Sequence, residues 1–291
     1  TVLTNQHLQS FLTYFAVFII ISKRIKISDT KRYIYAGILI SLGNIIRPEG
    51  IISVFSIVLY LILTFKKKEF KNTLKKVLSL LVSYYAILFI CSNLFIISGI
   101  GPNGLSNNAP YWKFVSGFNY ETSGSFSDND VYILNDNDKE TAYELIKERV
   151  LINPIKLGKL FLRKSDKFWN HSTLEWTFYE YYDKELKVGN KTFNYLDIIN
   201  KFNQYNEDCL FIMYILTIIG IFNYIKTKKY NKNIILLINL VFVTFGVYLL
   251  IEVQPRYSYF IEITTTILMG LGIEYLDNKL NEYKKRKNAT K

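Results

Sequence analysis

Residues 77–98 read VLSLLVSYYAILFICSNLFIIS, and residues 233–251 read NIILLINLVFVTFGVYLLI. Neither stretch carries a charged side chain. As a helix, each is long enough to cross the roughly 30 Å hydrocarbon core of a bilayer. Blocks this long and this free of charge do not suit the core of a soluble domain. Reading outward from them gives five more mainly apolar blocks, 8–22, 33–46, 51–65, 208–225 and 257–276. Helix is the state to expect for all seven, because an open strand in lipid leaves its backbone groups unsatisfied. The predicted fold is an all-α polytopic membrane protein of about seven transmembrane helices. Four spans lie in 1–98, an extracytoplasmic subdomain follows at 99–207, and three spans with a basic tail complete 208–291.

Composition agrees. Half of the 291 residues are hydrophobic, 16% are aromatic and 21% are charged, with the charges clustered and the apolar residues gathered into blocks. This excludes a soluble globular enzyme, a disordered chain and a disulfide-stapled module. Two cysteines, Cys91 and Cys209, are too few for a Cys-rich metal knuckle, and their different depths in their helices argue against a disulfide. A net charge of +12 is at first sight a nucleic-acid signal, but the placement of the charge says otherwise.

Arg47-Pro48-Glu49-Gly50 separates the second and third blocks, which form either one helix kinked at proline or two helices joined by a tight turn. The flanking charge decides. Residues 23–32 carry Lys23, Arg24, Lys26, Lys31 and Arg32, and residues 66–76 carry six lysines. The positive-inside rule puts both on the cytoplasmic side, so the chain crosses an even number of times between them. Residues 33–65 are therefore a helical hairpin with Arg47 and Glu49 at its outer turn. Alternation then places 226–232 and 277–291 inside as well. The inner segments together hold 21 basic and four acidic residues, whereas 99–207 holds 13 basic and 15 acidic. The excess of positive charge thus orients the chain in a lipid bilayer, and no nucleic-acid partner is expected.

Residues 99–207 are too many for a bare loop. They open on the turn sequence Gly99-Ile100-Gly101-Pro102-Asn103-Gly104 and continue through an Asn/Ser/Asp-rich stretch. Ala142, Leu145, Ile146 and Val150 then share one helical face. Asn153-Pro154 reads as the N-cap and first residue of a helix over 154–169, which presents Leu157, Leu160, Phe161 and Phe168 on one side. The aromatic run 176–182 suits a headgroup surface or a groove. The subdomain is expected to be of mixed, mainly helical character. His171 reads as solvent-exposed, and the sequons at Asn170 and Asn190 are common patterns of little weight. Residue 1 is Thr, no signal-peptide pattern is present, and the first block begins on the outer side. The expectation is the C-terminal portion of a longer membrane protein.

Four polar places fall on the outer side by this topology: Leu3-Thr4-Asn5-Gln6-His7, Arg47-Pro48-Glu49-Gly50, Tyr111-Trp112-Lys113-Phe114 with Asn119-Tyr120-Glu121-Thr122, and Glu252-Val253-Gln254-Pro255-Arg256-Tyr257. Charged residues at the edge of a span are costly and mark function more often than in soluble proteins. Each also has a plain structural role available. Arg47 and Glu49 pair at a turn, Arg256 snorkels to headgroups beside Tyr257 and Tyr259, and His7 is an interfacial polar residue. The functional reading rests on arginine. A guanidinium at the membrane surface, flanked by Gln254 and Tyr257, offers paired donors to a lipid phosphate.

These four segments, in this order and spacing, resemble the bacterial polytopic glycosyltransferases of the GT-C superfamily. Within it the chain is similar to the family 39 group, relatives of the protein mannosyltransferases and the lipid A aminoarabinose transferase. The resemblance spans most of the chain, and Arg47-Pro48-Glu49-Gly50 and Gln254-Pro255-Arg256-Tyr257 are its most specific parts. It implies transfer of a sugar from a polyprenyl-phosphate-linked donor to a glycan, lipid or protein acceptor on the outer face. Arg256 would then hold the donor phosphate with Gln254 and Tyr257, Arg47 and Glu49 would shape the donor pocket, and His7, Lys113 and Glu252 would border it. The general base of such enzymes is an acidic residue in the first outer loop, which falls upstream of residue 1. The resemblance names no cofactor and leaves divalent-metal dependence open. The competing classes are a transporter or flippase subunit for lipid-linked saccharides, which would show inverted repeats and broken midplane helices, and a non-catalytic membrane anchor displaying 99–207.

Overall fold

The computed structural model of the chain describes residues 5–106, 111–134, 139–151, 153–170, 184–227 and 231–289. The expectations for Leu3-Thr4, for His171 and for the run 176–182 lie outside the described residues. Helices occupy all seven apolar blocks: α1 (Asn5–Ile21), α2 (Asp29–Ile46), α3 (Gly50–Leu63), α4 (Phe70–Ile97), α9 (Tyr195–Thr227), α10 (Lys232–Leu250) and α11 (Tyr259–Ala289). Between α4 and α9 lie α5 (Trp112–Gly117), α6 (Asp128–Ile133), α7 (Lys139–Leu151), α8 (Pro154–Trp169) and a small antiparallel hairpin of β1 (Glu185–Val188) and β2 (Lys191–Asn194). Among the described residues, α4, α9, α10 and α11 are long and apolar enough to cross a membrane. The chain is a helical membrane protein, and length and composition give four spans where the sequence suggested seven. The 14 residues of α3 rise only about 21 Å at 1.5 Å each.

The chain folds as two compact units, each drawn from two stretches of sequence: Thr1–Pro110 with Asn231–Val247, and Tyr111–Tyr230 with Tyr248–Lys291. In the first unit, the helix breaks between Ile46 and Gly50, at the proline-containing turn. The Asn44 side chain accepts from the Gly50 N–H at 2.9 Å and holds the turn. Ser28 caps the start of α2, with Asp29 in its first turn. That end of α2 meets the start of α4, where the Lys76 ammonium lies 2.6 Å from the Asp29 carboxylate. Further along, Gly37 of α2 sits so close to α4 that a Cβ would lie 2.0 Å from Ser83 Oγ and 2.6 Å from the Leu80 carbonyl. The two helices therefore run parallel, and the basic connections 23–32 and 66–76 share one end of the unit. Arg32 has a local task there as well, donating to the carbonyls of Ile19, Ser22 and Ile25 at the C-terminal end of α1.

In the second unit, Asn153 caps α8 through its side-chain oxygen, which accepts from Ile155 and Lys156, and Pro154 occupies the first turn, as expected. Val115, Leu134 and Ala142 form a small core against which Leu145 and Ile146 pack. The boundary at 207/208 does not coincide with the start of a helix. Instead, α9 runs unbroken for 33 residues from Tyr195, and its polar first third is continuous with its apolar remainder. The helices α9 and α11 also run parallel. Near the start of α11, Met213 Sδ accepts from the Thr265 and Thr266 hydroxyls, and further along a Cβ on Gly220 would lie 2.6 Å from the Gly272 nitrogen and 3.1 Å from the Leu268 carbonyl.

Candidate functional site

A densely hydrogen-bonded polar site lies in the second unit, where the chain leaves α10 and runs through Ile251–Gln254 into a 3-10 turn, Pro255–Ser258. Helix α10 ends on carbonyls that need donors. Lys164 of α8 supplies them: its ammonium, fully buried, donates to the Leu249 carbonyl at 2.7 Å and the Ile251 carbonyl at 2.8 Å. A third bond goes to the Gly117 carbonyl at 2.8 Å. Burial pushes the Lys164 amine down to about 7, against the pull of the neighbouring Glu252 carboxylate. Room for the lysine stem comes from Gly124. Its φ of +76° disfavours a side chain, and a Cβ there would lie 2.7 Å from Lys164 Cδ.

Backbone contacts fasten the same segment from the other side. The Glu252 N–H donates to the Lys113 carbonyl at 2.6 Å, and the Val253 N–H to the Gly124 carbonyl at 2.8 Å. Ser125 Oγ donates to the Val253 carbonyl at 3.2 Å. Lys167, whose amine is lowered by burial and then by the nearby Arg163 charge, donates to the Thr122 carbonyl and to Ser125 Oγ.

The fully buried Glu252 carboxylate accepts from Gln254 Nε2 at 2.5 Å and from the Tyr257 hydroxyl at 2.6 Å. The Tyr257 ring stacks on Tyr248 at 4.8 Å, and Tyr248 packs on Phe168 at 5.6 Å. The half-buried Arg256 lies with its guanidinium 5.8 Å from the centre of the Tyr257 ring. Lys113, Glu252, Gln254, Arg256 and Tyr257 are thus brought together. The Lys113 contribution is its carbonyl, since its ammonium lies over the Trp112 ring.

Arg47, Glu49 and His7 belong to the other unit. There Arg47 Nε lies 2.5 Å from Glu49 Oε1, with both side chains largely buried, which is the paired turn that the local sequence allows. His7 is exposed on the first turns of α1. Cys91 and Cys209 are free thiols.

Two features were absent from the sequence expectations. One is the network around buried Asp130, whose carboxylate takes paired donors from Arg149 at 2.7 and 3.2 Å and one from Asn119 at 2.9 Å. Burial alone would raise the Asp130 carboxyl, but the hydrogen bonds from Arg149 and Asn119 outweigh it and hold the group below its ordinary range. The other is Lys164. Its signal is positional: it sits four residues after Leu160 and four before Phe168, within the buried stripe of α8. Among the described residues, no group of His, Cys, Asp and Glu could hold a metal ion. No family model matches the chain, and no curated protein or solved structure matches it.

Proposed function

We propose that the protein is a glycosyltransferase of the membrane, moving a sugar from a polyprenyl-phosphate-linked donor to an acceptor at the extracytoplasmic face. In this reading all seven apolar helices span the cell membrane, with 99–207 outside and the C-terminus inside. The observation that carries it is the setting of Arg256. This guanidinium is half-buried on a 3-10 turn that leads directly into the long apolar helix α11. The backbone donors and partial positive charge of a helix start favour an anion, and the arginine adds a planar pair of donors. Gln254 and Tyr257 are held in place through Glu252, so the turn is pre-formed. The two Glu252 oxygens are each taken by a donor, and Glu252 is assigned the role of positioning residue. The likeness of Arg47-Pro48-Glu49-Gly50 and Gln254-Pro255-Arg256-Tyr257 to the family 39 transferases supports the same class.

The test is binding of polyprenyl phosphate to the protein in detergent, with the matching polyprenol as control. Arg256→Lys replaces paired donors by a point charge. Loss of one charge-assisted hydrogen bond costs about 1.5–3 kcal/mol, which is roughly ten- to a hundredfold in affinity. Lys184→Ala, on an exposed connection, should leave affinity unchanged. Unaltered phosphate binding by a folded Arg256→Ala protein would reduce Arg256 to an interfacial anchor.

A further inference from the structure

The same unit holds a concave feature whose lining includes none of the residues of the Arg256 turn. A groove of about 480 Å³ runs between the last turns of α8 and the middle of α9, within the size range of small-molecule sites. Its aromatic part is Phe211, Trp169 and Tyr214, the last two with rings that meet edge to face at 5.1 Å and 76°. Around them stand Asp166, Glu207, Asp208 and Asn170.

Among the described residues, no lysine or arginine lines the groove. Among the described residues, its three carboxylates enter no ion pair. We propose that this groove binds a saccharide. An aromatic face packs against the apolar C–H face of a sugar ring, where weak C–H contacts add to apolar burial. The carboxylate oxygens accept hydrogen bonds from sugar hydroxyls, and the Asn170 amide can both donate and accept. The excess of negative charge rejects phosphate and other anions, so the site differs in chemistry from the Arg256 turn.

An anchor at the membrane surface also uses Trp and Tyr, but that role does not account for three carboxylates lining the same concavity. Saccharide binding stands independently of the transferase reading. If both hold, the groove seats the acceptor sugar.

The experiment uses the full chain in detergent with Trp112→Phe and Trp176→Phe, which leave Trp169 as the sole indole reporter. Cellotriose, chitotriose and maltotriose are titrated to tens of millimolar and followed by fluorescence. Binding is expected as a saturable change with at least one of them. Glu207→Gln with Asp208→Asn should weaken it at least tenfold, with circular dichroism and gel filtration unchanged. Calorimetry on Trp169→Ala should lose the binding heat. Polyprenyl-phosphate affinity should be untouched by these changes, so failure here and failure at Arg256 are separately visible. No saturable response to any of the three sugars would overturn the proposal, as would sugar binding that survives Trp169→Ala. Binding of a polyamine such as spermidine in place of the sugars would overturn it too and make the groove a cation site.

Discussion

The Lys164 ammonium and the Ile251 carbonyl are joined by a 2.8 Å hydrogen bond across 87 positions of sequence. One buried cation thereby ends α10, fixes the chain that carries Glu252, and binds α8 to both. It also has an unusual titration. A lysine whose proton is held less tightly when folded opposes stability while it must stay charged, and this opposition lifts as pH rises through the folded value. The window runs from about 7 to the ordinary 10.5. In detergent, the wild-type unfolding midpoint should rise between pH 7 and 9 relative to that of Lys164→Met, by up to about 1.4 kcal/mol per pH unit. Parallel pH profiles for the two proteins would show that Lys164 does not titrate there.

Asp130 behaves with the opposite sign. Its carboxyl is held below 3.8 by Arg149 and Asn119, so its contribution is present above about that pH and is lost as pH falls through the folded value. Asp130→Ala leaves the largely buried Arg149 charge without its carboxylate. The cost should be about 3–5 kcal/mol, seen as a lowered midpoint at neutral pH. The difference from wild type should shrink on acidification towards pH 3.

Helix packing in the first unit is tested at glycine. Gly37→Leu puts a side chain where a single Cβ already meets Ser83 and the Leu80 backbone, and should cost at least about 1–3 kcal/mol. Gly158, inside α8, has nothing within 4 Å of its would-be Cβ. Gly158→Ala should therefore stabilise by about 0.8–1 kcal/mol through helix propensity alone. Equal effects of the two changes on the thermal midpoint would contradict the assigned packing.

Orientation is tested by labelling from outside in a background where Cys91 and Cys209 are replaced by Ser. Ser106→Cys should react with an impermeant maleimide in intact cells, and Asn231→Cys should react only after permeabilisation. Both positions are exposed. Labelling at 231 but not at 106 would invert the proposed topology.

The apolar blocks were legible because lipid-spanning helices need uninterrupted burial, and the Asn153 cap because its chemistry is local. The start of α9 was not legible. Residues 195–207 are polar, and hydropathy marks the edge of a lipid-compatible stretch, which is not where the hydrogen-bond ladder ends. The small hairpin 185–194 was missed because each strand is only four residues long and all eight strand residues are exposed. Of the candidate site, Gln254-Pro255-Arg256-Tyr257 could be singled out. Its support by Lys164 and Gly124 depends on contacts between positions about 40 and 87 apart, which no local pattern encodes. The groove at Trp169 and Tyr214 has the same origin, since its two walls come from separate helices.

The unbroken course of α9 has a mechanical consequence. Glu207 and Asp208 border the groove, while Gly220 lies against Leu268–Gly272 of α11 on the same rod. The two places are about 20 Å apart at 1.5 Å per residue, with no joint between them. If α9 pivots on the Gly220 contact by about ten degrees, as when a bilayer thins or thickens around a span, the carboxylates swing by about 3 Å. On a rod of that length, a small tilt at the α11 contact would become a change in the width of the groove.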